Sequence, residues 1–220
     1  VGLYDAYLAI RHRLHEGSSP EHIALVLTER DLLADGAFDT LTSALRWALE
    51  YGATRVTVSV SVLDASVVST LTRELRRLDT PAPTVVRGPN DVSPPDESAD
   101  AEDRTSLDDR TSPDAPIRII VGLGGKAEFA TAVRELAIDV DAGRLDPRAI
   151  DATDITDRLV FPEEPDLVIK TGAERLSDFA IWQSVYAELY FTDVNWRDFR
   201  KRDYLRAVLD FQDRQRRFGR

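Results

Sequence analysis

Apolar positions follow two periods along the first part of the chain. In PEHIALVLTERD the run Ile23 to Leu27 is continuously apolar and bounded by Pro20 and a charged turn, which predicts a strand buried on both faces. In AFDTLTSALRWALEYGA, Phe38, Leu41, Leu45 and Ala48 fall on one helical face and Gly52 stands at the stop. TRVTVSVSVLD is β-branched and strand-like, Ser66 to Leu78 reads as a helix, and TVVRG as a short strand. This alternation predicts an α/β fold, with a central mainly parallel sheet flanked by helices. The pattern stops at about 89–115, where PNDVSPPDESADAEDRTSLDDRTSPDAP offers almost nothing to bury. A disordered acidic loop that can be deleted is expected there. Order returns as the strand, glycine turn and helix of IRIIVGLGGKAEFATAVRELAIDV, a short helix in DPRAIDATDITDRL and a strand in DLVIK. A helical pattern then ends on Glu188, ahead of Leu189, Tyr190 and Phe191, and a long helix closes the chain. No internal repeat interrupts this order, and residues 1–220 are expected to form one domain.

Charge sharpens the picture. Among 220 residues, 39 Asp and Glu oppose 28 Lys and Arg, for a net charge of -11. Lysine occurs only as Lys126, Lys170 and Lys201. An acidic, lysine-poor, cysteine-free chain suits a cytoplasm of high ionic strength, as in a halophile, and its sign of charge disfavours nucleic acid. The absence of cysteine excludes disulfides and thiolate metal sites. No apolar run reaches the ~18 residues of a membrane span, and VGLYDAYLAIRHRLHEG is amphipathic rather than a signal peptide, so a cytoplasmic location is expected.

Three stretches offer chemistry. In VGLGGKAEF, the turn Gly122-Leu123-Gly124-Gly125 before a helix presents backbone amides to an anion, with Lys126 adding a charge. The spacing misses the Walker pattern and fits a dinucleotide fingerprint only loosely, so a plain strand-to-helix turn remains an equal reading. Lys170, Arg175 and Ser177 flank a turn after a strand, at the sheet edge where α/β proteins bind ligands; two cations and a hydroxyl suit a diphosphate, and a solvated turn is the alternative. Arg197, Arg200, Lys201, Arg202, Arg206, Arg214, Arg216, Arg217 and Arg220 crowd the tail, suiting a polyanion or an acidic partner, unless they pair within their helix with Asp198, Asp203, Asp210 and Asp213. His12 and His15 share a helix face but lack the carboxylates of a metal site and are expected to be exposed; His22 is expected to line a pocket or face water.

The stretch KTGAERLSDFAIWQSVYAELYFTDVNWRDFRKRDYLRAVLDFQDRQRRFG resembles the C-terminal half of cis-prenyltransferases, the undecaprenyl diphosphate synthase family. PEHIAL, GATRVTV, GLGGKAEF and DLVIKTG follow the same family order. The resemblance implies condensation of isopentenyl diphosphate onto an allylic diphosphate, with magnesium and basic side chains stabilising the departing diphosphate. It implies that Lys170, Arg175 and Ser177 hold the isopentenyl diphosphate, with Gly124, Gly125 and Lys126 as further substrate contacts. It also implies that Glu188 is associated with the metal, and that Arg217-Phe218-Gly219 reaches across a dimer to the partner's diphosphate. Trp182, Tyr186, Leu189 and Phe191 would build the dimer face, and an apolar cleft would run beside Lys170.

One segment departs from the family. Thr28 stands where the resemblance calls for the metal-binding catalytic aspartate, Glu29 and Arg30 replace the glycine and asparagine after it, and Asp31 and Leu32 replace basic residues. A hydroxyl supplies no anionic charge for magnesium. The expectation is a non-autonomous subunit that pairs with a full-motif relative. A self-sufficient synthase using Glu29, a non-enzymatic binder of polyprenyl diphosphates, or a nucleotide-binding protein unrelated to the family are the other readings. Peripheral contact with a membrane surface is left open.

Overall fold

The computed structural model describes residues 2–89, 115–160, 162–172 and 182–218, with 215–218 described by backbone alone. Helix α1 (Leu3–Leu14) leads into β1 (His22–Thr28), a single helical turn α2 (Glu29–Leu32), α3 (Ala37–Glu50), β2 (Arg55–Ser61), α4 (Val68–Arg76) and β3 (Thr84–Arg87). After residues outside the described set come β4 (Ile117–Val121), α5 (Gly125–Asp141), α6 (Ala152–Thr156), β5 (Leu167–Thr171), β6 (Glu188–Thr192) and α7 (Lys201–Phe218). The six strands form one sheet in the order β3-β4-β2-β1-β5-β6, and every pairing is parallel.

Burial on both faces explains the continuous apolar strands. On β1, Ile23, Leu25 and Leu27 enter the main core with α3, α4 and α7, while Ala24 and Val26 turn to the opposite face with Val168 and the partly buried Ala187 and Leu189. Helix α3 seals the main core through Leu41, Ala44, Leu45 and Ala48, all fully buried. Truncating such a leucine costs about 2–5 kcal/mol, because the cavity cannot collapse against a rigid sheet.

Three expectations change, while most of the acidic stretch expected at about 89–115 lies outside the described residues. β3 and β4 run parallel side by side, with Thr84 opposite Ile117. The segment read as helix up to Glu188 and an apolar remnant instead ends in β6, a short edge strand with Glu188 as its first residue. The basic tail is not a free cationic arm over its described side chains. Helix α7 buries Tyr204, Leu205, Val208 and Phe211, while Arg206 pairs with Asp203 and Arg214 with Asp210. The histidines are not exposed. His12 Nδ1 meets Gln212 Oε1 at 3.1 Å and His15 Nε2 meets Asp213 Oδ1 at 2.9 Å, fastening α1 to α7. His22 is buried at the amino edge of the sheet, between the Glu164 carbonyl and the Thr57 hydroxyl, each 3.0 Å away. Burial pushes its imidazole below the ordinary value.

Candidate functional site

The chain leaves β1 toward β2 on one side of the sheet and leaves β5 toward β6 on the other. The crevice between the carboxyl ends of β1 and β5 is therefore the topological switch point. Val26 pairs with Lys170, so Thr28 and Gly172 stand opposite one another two positions further along. The fold thus brings together the two positions singled out by sequence, Thr28 and the buried Lys170.

Their environments differ sharply. Lys170 is only 3% exposed, and its ammonium donates to the Thr171 carbonyl at a long 3.4 Å. No carboxylate meets it among the described residues. The neighbouring Thr171 hydroxyl is buried and has no hydrogen-bond partner among the described residues. A buried cation without a counter-ion and a buried hydroxyl without a partner are each costly, and both costs fall when an anion with several acceptor oxygens arrives. Gly172, at φ +73°, then turns the chain away from the sheet, and its amide is taken by the Thr192 carbonyl. Arg175 and Ser177 fall within 173–181, outside the described residues.

At Thr28 the polar groups are already satisfied. The Thr28 side chain caps α2, and Asp31 Oδ2 accepts from both the amide and the hydroxyl of Thr28, at 2.8 Å each. Glu29 Oε2 accepts from the amides of Leu63 and Asp64 at 3.0 and 3.3 Å, tying α2 to the turn after β2. Each carboxylate beside Thr28 thus serves local backbone. The described residues contain no group of three or more His, Asp or Glu side chains able to hold a metal. The donor set at the end of β1 does not fit a resident magnesium ion.

Glu188 stands elsewhere. As the first residue of β6 it lies opposite Leu167, whereas Lys170 lies opposite Phe191, a separation of about 10 Å along the strand. Its carboxylate pairs with Arg214 at 3.0 Å, so the structure does not bring it to the switch point within this chain. The glycine turn has a mixed character. Gly122 takes φ +70° and a Cβ there would meet Val68 Cγ2 at 3.1 Å, so its glycine is structural. Gly124 is the N-cap of α5 and Gly125 its first residue, with Lys126 exposed beside them.

That helix end is tied to the segment after β5 by residues the sequence reading overlooked. Gln183 Nε2 donates to the buried Glu128 carboxylate at 3.3 Å, and Phe129 stacks on Trp182 with ring centres 5.8 Å apart. Glu128 and Gln183 stand 55 residues apart in the chain, so no local pattern signalled the pair. Arg217 and Gly219 cannot be placed, since the side chain of the first and all of the second lie outside the described residues.

A family model described as undecaprenyl diphosphate synthase matches residues 84–219, well over half of the chain. The chain belongs to the undecaprenyl diphosphate synthase family. Lys170 lies inside that match and Thr28 outside it. A tritrans,polycis-undecaprenyl-diphosphate synthase (geranylgeranyl-diphosphate specific) of Methanopyrus kandleri is 49% identical over 110 residues, which cover 49% of this chain and 41% of that protein. Isoprenyl transferase 1 of Streptomyces coelicolor is 46% identical over 99 residues, 44% of this chain and 36% of that protein. The matched region is thus about two fifths of the length of these relatives. Among solved structures, a probable undecaprenyl diphosphate synthase from Campylobacter jejuni superposes with a TM-score of 0.64 at 20% identity, covering 92% of this chain and 100% of that one. Lavandulyl diphosphate synthase from Lavandula x intermedia gives 0.63 at 21% identity, covering 88% and 95%. These likenesses establish the sheet-and-helix architecture of a prenyltransferase family.

Proposed function

We propose that this protein is a non-autonomous cis-prenyltransferase subunit that keeps a diphosphate-binding half-site but has lost the acid that would activate the allylic substrate. The observation that carries this reading is the contrast across the switch point. Lys170 and Thr171 present a buried ammonium and hydroxyl with unspent bonding capacity, while Thr28, Glu29 and Asp31 are spent on each other and on local backbone.

Lys170, with Arg175 and Ser177, would bind isopentenyl diphosphate or the diphosphate end of a polyprenyl chain through charge-assisted hydrogen bonds, and Gly124, Gly125 and Lys126 would offer further contacts. When bound, magnesium would neutralise the departing allylic diphosphate. In this reading the carboxylate that holds it belongs to a full-motif relative, for which geranylgeranyl diphosphate, named for the Methanopyrus kandleri relative, is the model allylic substrate. The tail Arg217-Phe218-Gly219 would complete that partner's site. Pairing through β6 is supported by its place at the sheet edge and by the exposure of Tyr186 and Phe191 beside it. The alternative of a self-sufficient synthase using Glu29 is weakened by the two amides that hold its carboxylate.

The test is pyrophosphate titration of the wild-type chain and its Lys170→Met and Thr28→Ala variants. The reading expects affinity to fall with the first and to hold with the second; equal affinity in Lys170→Met would overturn it.

A further inference from the structure

The glycine turn and Lys170 do not stand side by side. Gly122 follows β4 and Lys170 lies near the end of β5, and β2 and β1 run between those strands, so the two strand ends are three strand spacings, about 14 Å, apart. Sheet pairing fixes where α5 starts but not how its first turn leans toward the half-site. Side chains supply that constraint. Gln183, only 1% exposed, donates from Nε2 to the Glu128 carboxylate at 3.3 Å. The adjacent Trp182 ring stacks on Phe129 with 23° between the planes, and its Nε1 donates to the Thr156 hydroxyl of α6 at 3.1 Å. Two consecutive residues of the chain after β5 are thus held by two consecutive residues at the head of α5.

Glu128 is out of keeping with its own helix face. Glu128, Ala132 and Leu136 recur at every fourth residue, which sets them in one stripe along α5, and all three are buried. Ala132 and Leu136 are apolar. A carboxylate at the head of that stripe carries a desolvation cost that a leucine would not, and its place in the first helical turn offsets the cost only in part. A buried acid bonded to a buried amide from a distant segment contributes a defined arrangement more than it contributes stability. From Gln183 the arrangement passes on toward Lys170. The Ala187 amide donates to the Ser184 carbonyl, the Glu188 amide donates to the Asp166 carbonyl where β6 begins, and Phe191 of β6 lies opposite Lys170.

We propose that Glu128 is a positioning residue of the diphosphate half-site: by gripping Gln183 it sets the lean of the first turn of α5, which aims the donors of Gly124, Gly125 and Lys126 toward the diphosphate held by Lys170. This inference deepens the diphosphate reading of Lys170 and rests on it. Glu128 acts through Gln183 and not on the ligand, since a carboxylate set against a diphosphate would repel it.

Pyrophosphate titration of the full chain tests this, with urea unfolding on the same preparations. Glu128→Leu completes the apolar stripe, so it should keep or raise the urea midpoint while weakening pyrophosphate binding about tenfold, a loss that a merely structural role would not produce. Glu128→Gln retains a carbonyl oxygen for Gln183 and should hold affinity within about twofold of the wild type. Gln183→Leu removes the grip from the other side and should weaken binding as Glu128→Leu does, so the test does not depend on one variant folding. Wild-type affinity in folded Glu128→Leu or Gln183→Leu would overturn the proposal. So would a loss in Glu128→Gln equal to that in Glu128→Leu, which would assign the effect to charge and not to the grip. Lys170→Met separates this inference from the reading beneath it. Binding lost in Lys170→Met but kept in Glu128→Leu overturns the positioning role alone, whereas binding that Lys170→Met leaves intact overturns both.

Discussion

The Thr28 hydroxyl donates to Asp31 at 2.8 Å, and the Asp31 amide returns a 3.3 Å hydrogen bond to the same oxygen. This closed exchange caps α2 where the family resemblance calls for a carboxylate. Thr28→Ala should therefore cost about 1 kcal/mol, in the range of lost N-caps. Thr28→Asp would set a second carboxylate against Asp31, and is expected to destabilise the fold without creating a metal site. Urea midpoints, with magnesium titration of the aspartate variant, check both statements; magnesium binding by Thr28→Asp alone would contradict them.

Lys170 makes the opposite prediction for stability. Its ammonium is buried without a counter-ion among the described residues, so Lys170→Met should leave the melting temperature unchanged or raise it. The same variant should lose about 1.5–3 kcal/mol of pyrophosphate binding, the worth of a charge-assisted contact. Calorimetric titration and thermal unfolding on one preparation separate the two effects.

The sheet and its flanking helices were legible because buried parallel strands leave continuous apolar runs, as in Ile23 to Leu27, and because α3 keeps a clean helical face through Leu41, Leu45 and Ala48. β6 was not legible. Glu188 to Thr192 is a short edge strand that directly follows a helical pattern, and an edge strand has only one neighbour to shape its sequence. The burial of His12 and His15 depends on Gln212 and Asp213, about two hundred residues away, which no local pattern reveals. At the site, the threonine at position 28 could be read from residue types. That the Asp31 and Glu29 carboxylates are held by local hydrogen bonds only the fold supplies.

His22 predicts a pH dependence. Burial lowers its folded-state pKa from the ordinary 6.5, so below pH 6.5 the unfolded chain takes up a proton that the folded chain refuses. Its contribution to stability is complete above 6.5 and declines as pH falls toward the folded value. His22→Gln should flatten that part of the profile in urea unfolding from pH 7.5 to 5.5; an unchanged slope would assign it to other groups.

The parallel pairing of β3 with β4 limits how far the acidic stretch can be shortened. A deletion that leaves about a dozen residues between Arg87 and Ile117 should fold, whereas one that joins them through two or three residues should not, because a parallel crossover needs that length. Circular dichroism in high salt distinguishes the two deletions.

The division of labour is tested most directly by incorporation of radiolabelled isopentenyl diphosphate into lipid, using geranylgeranyl diphosphate and magnesium, with the chain alone and mixed with a full-motif relative. The account predicts no product from the chain alone, and turnover in the mixture that falls when Arg217→Ala is introduced into this chain. Magnesium-dependent chain elongation by the isolated protein would contradict it.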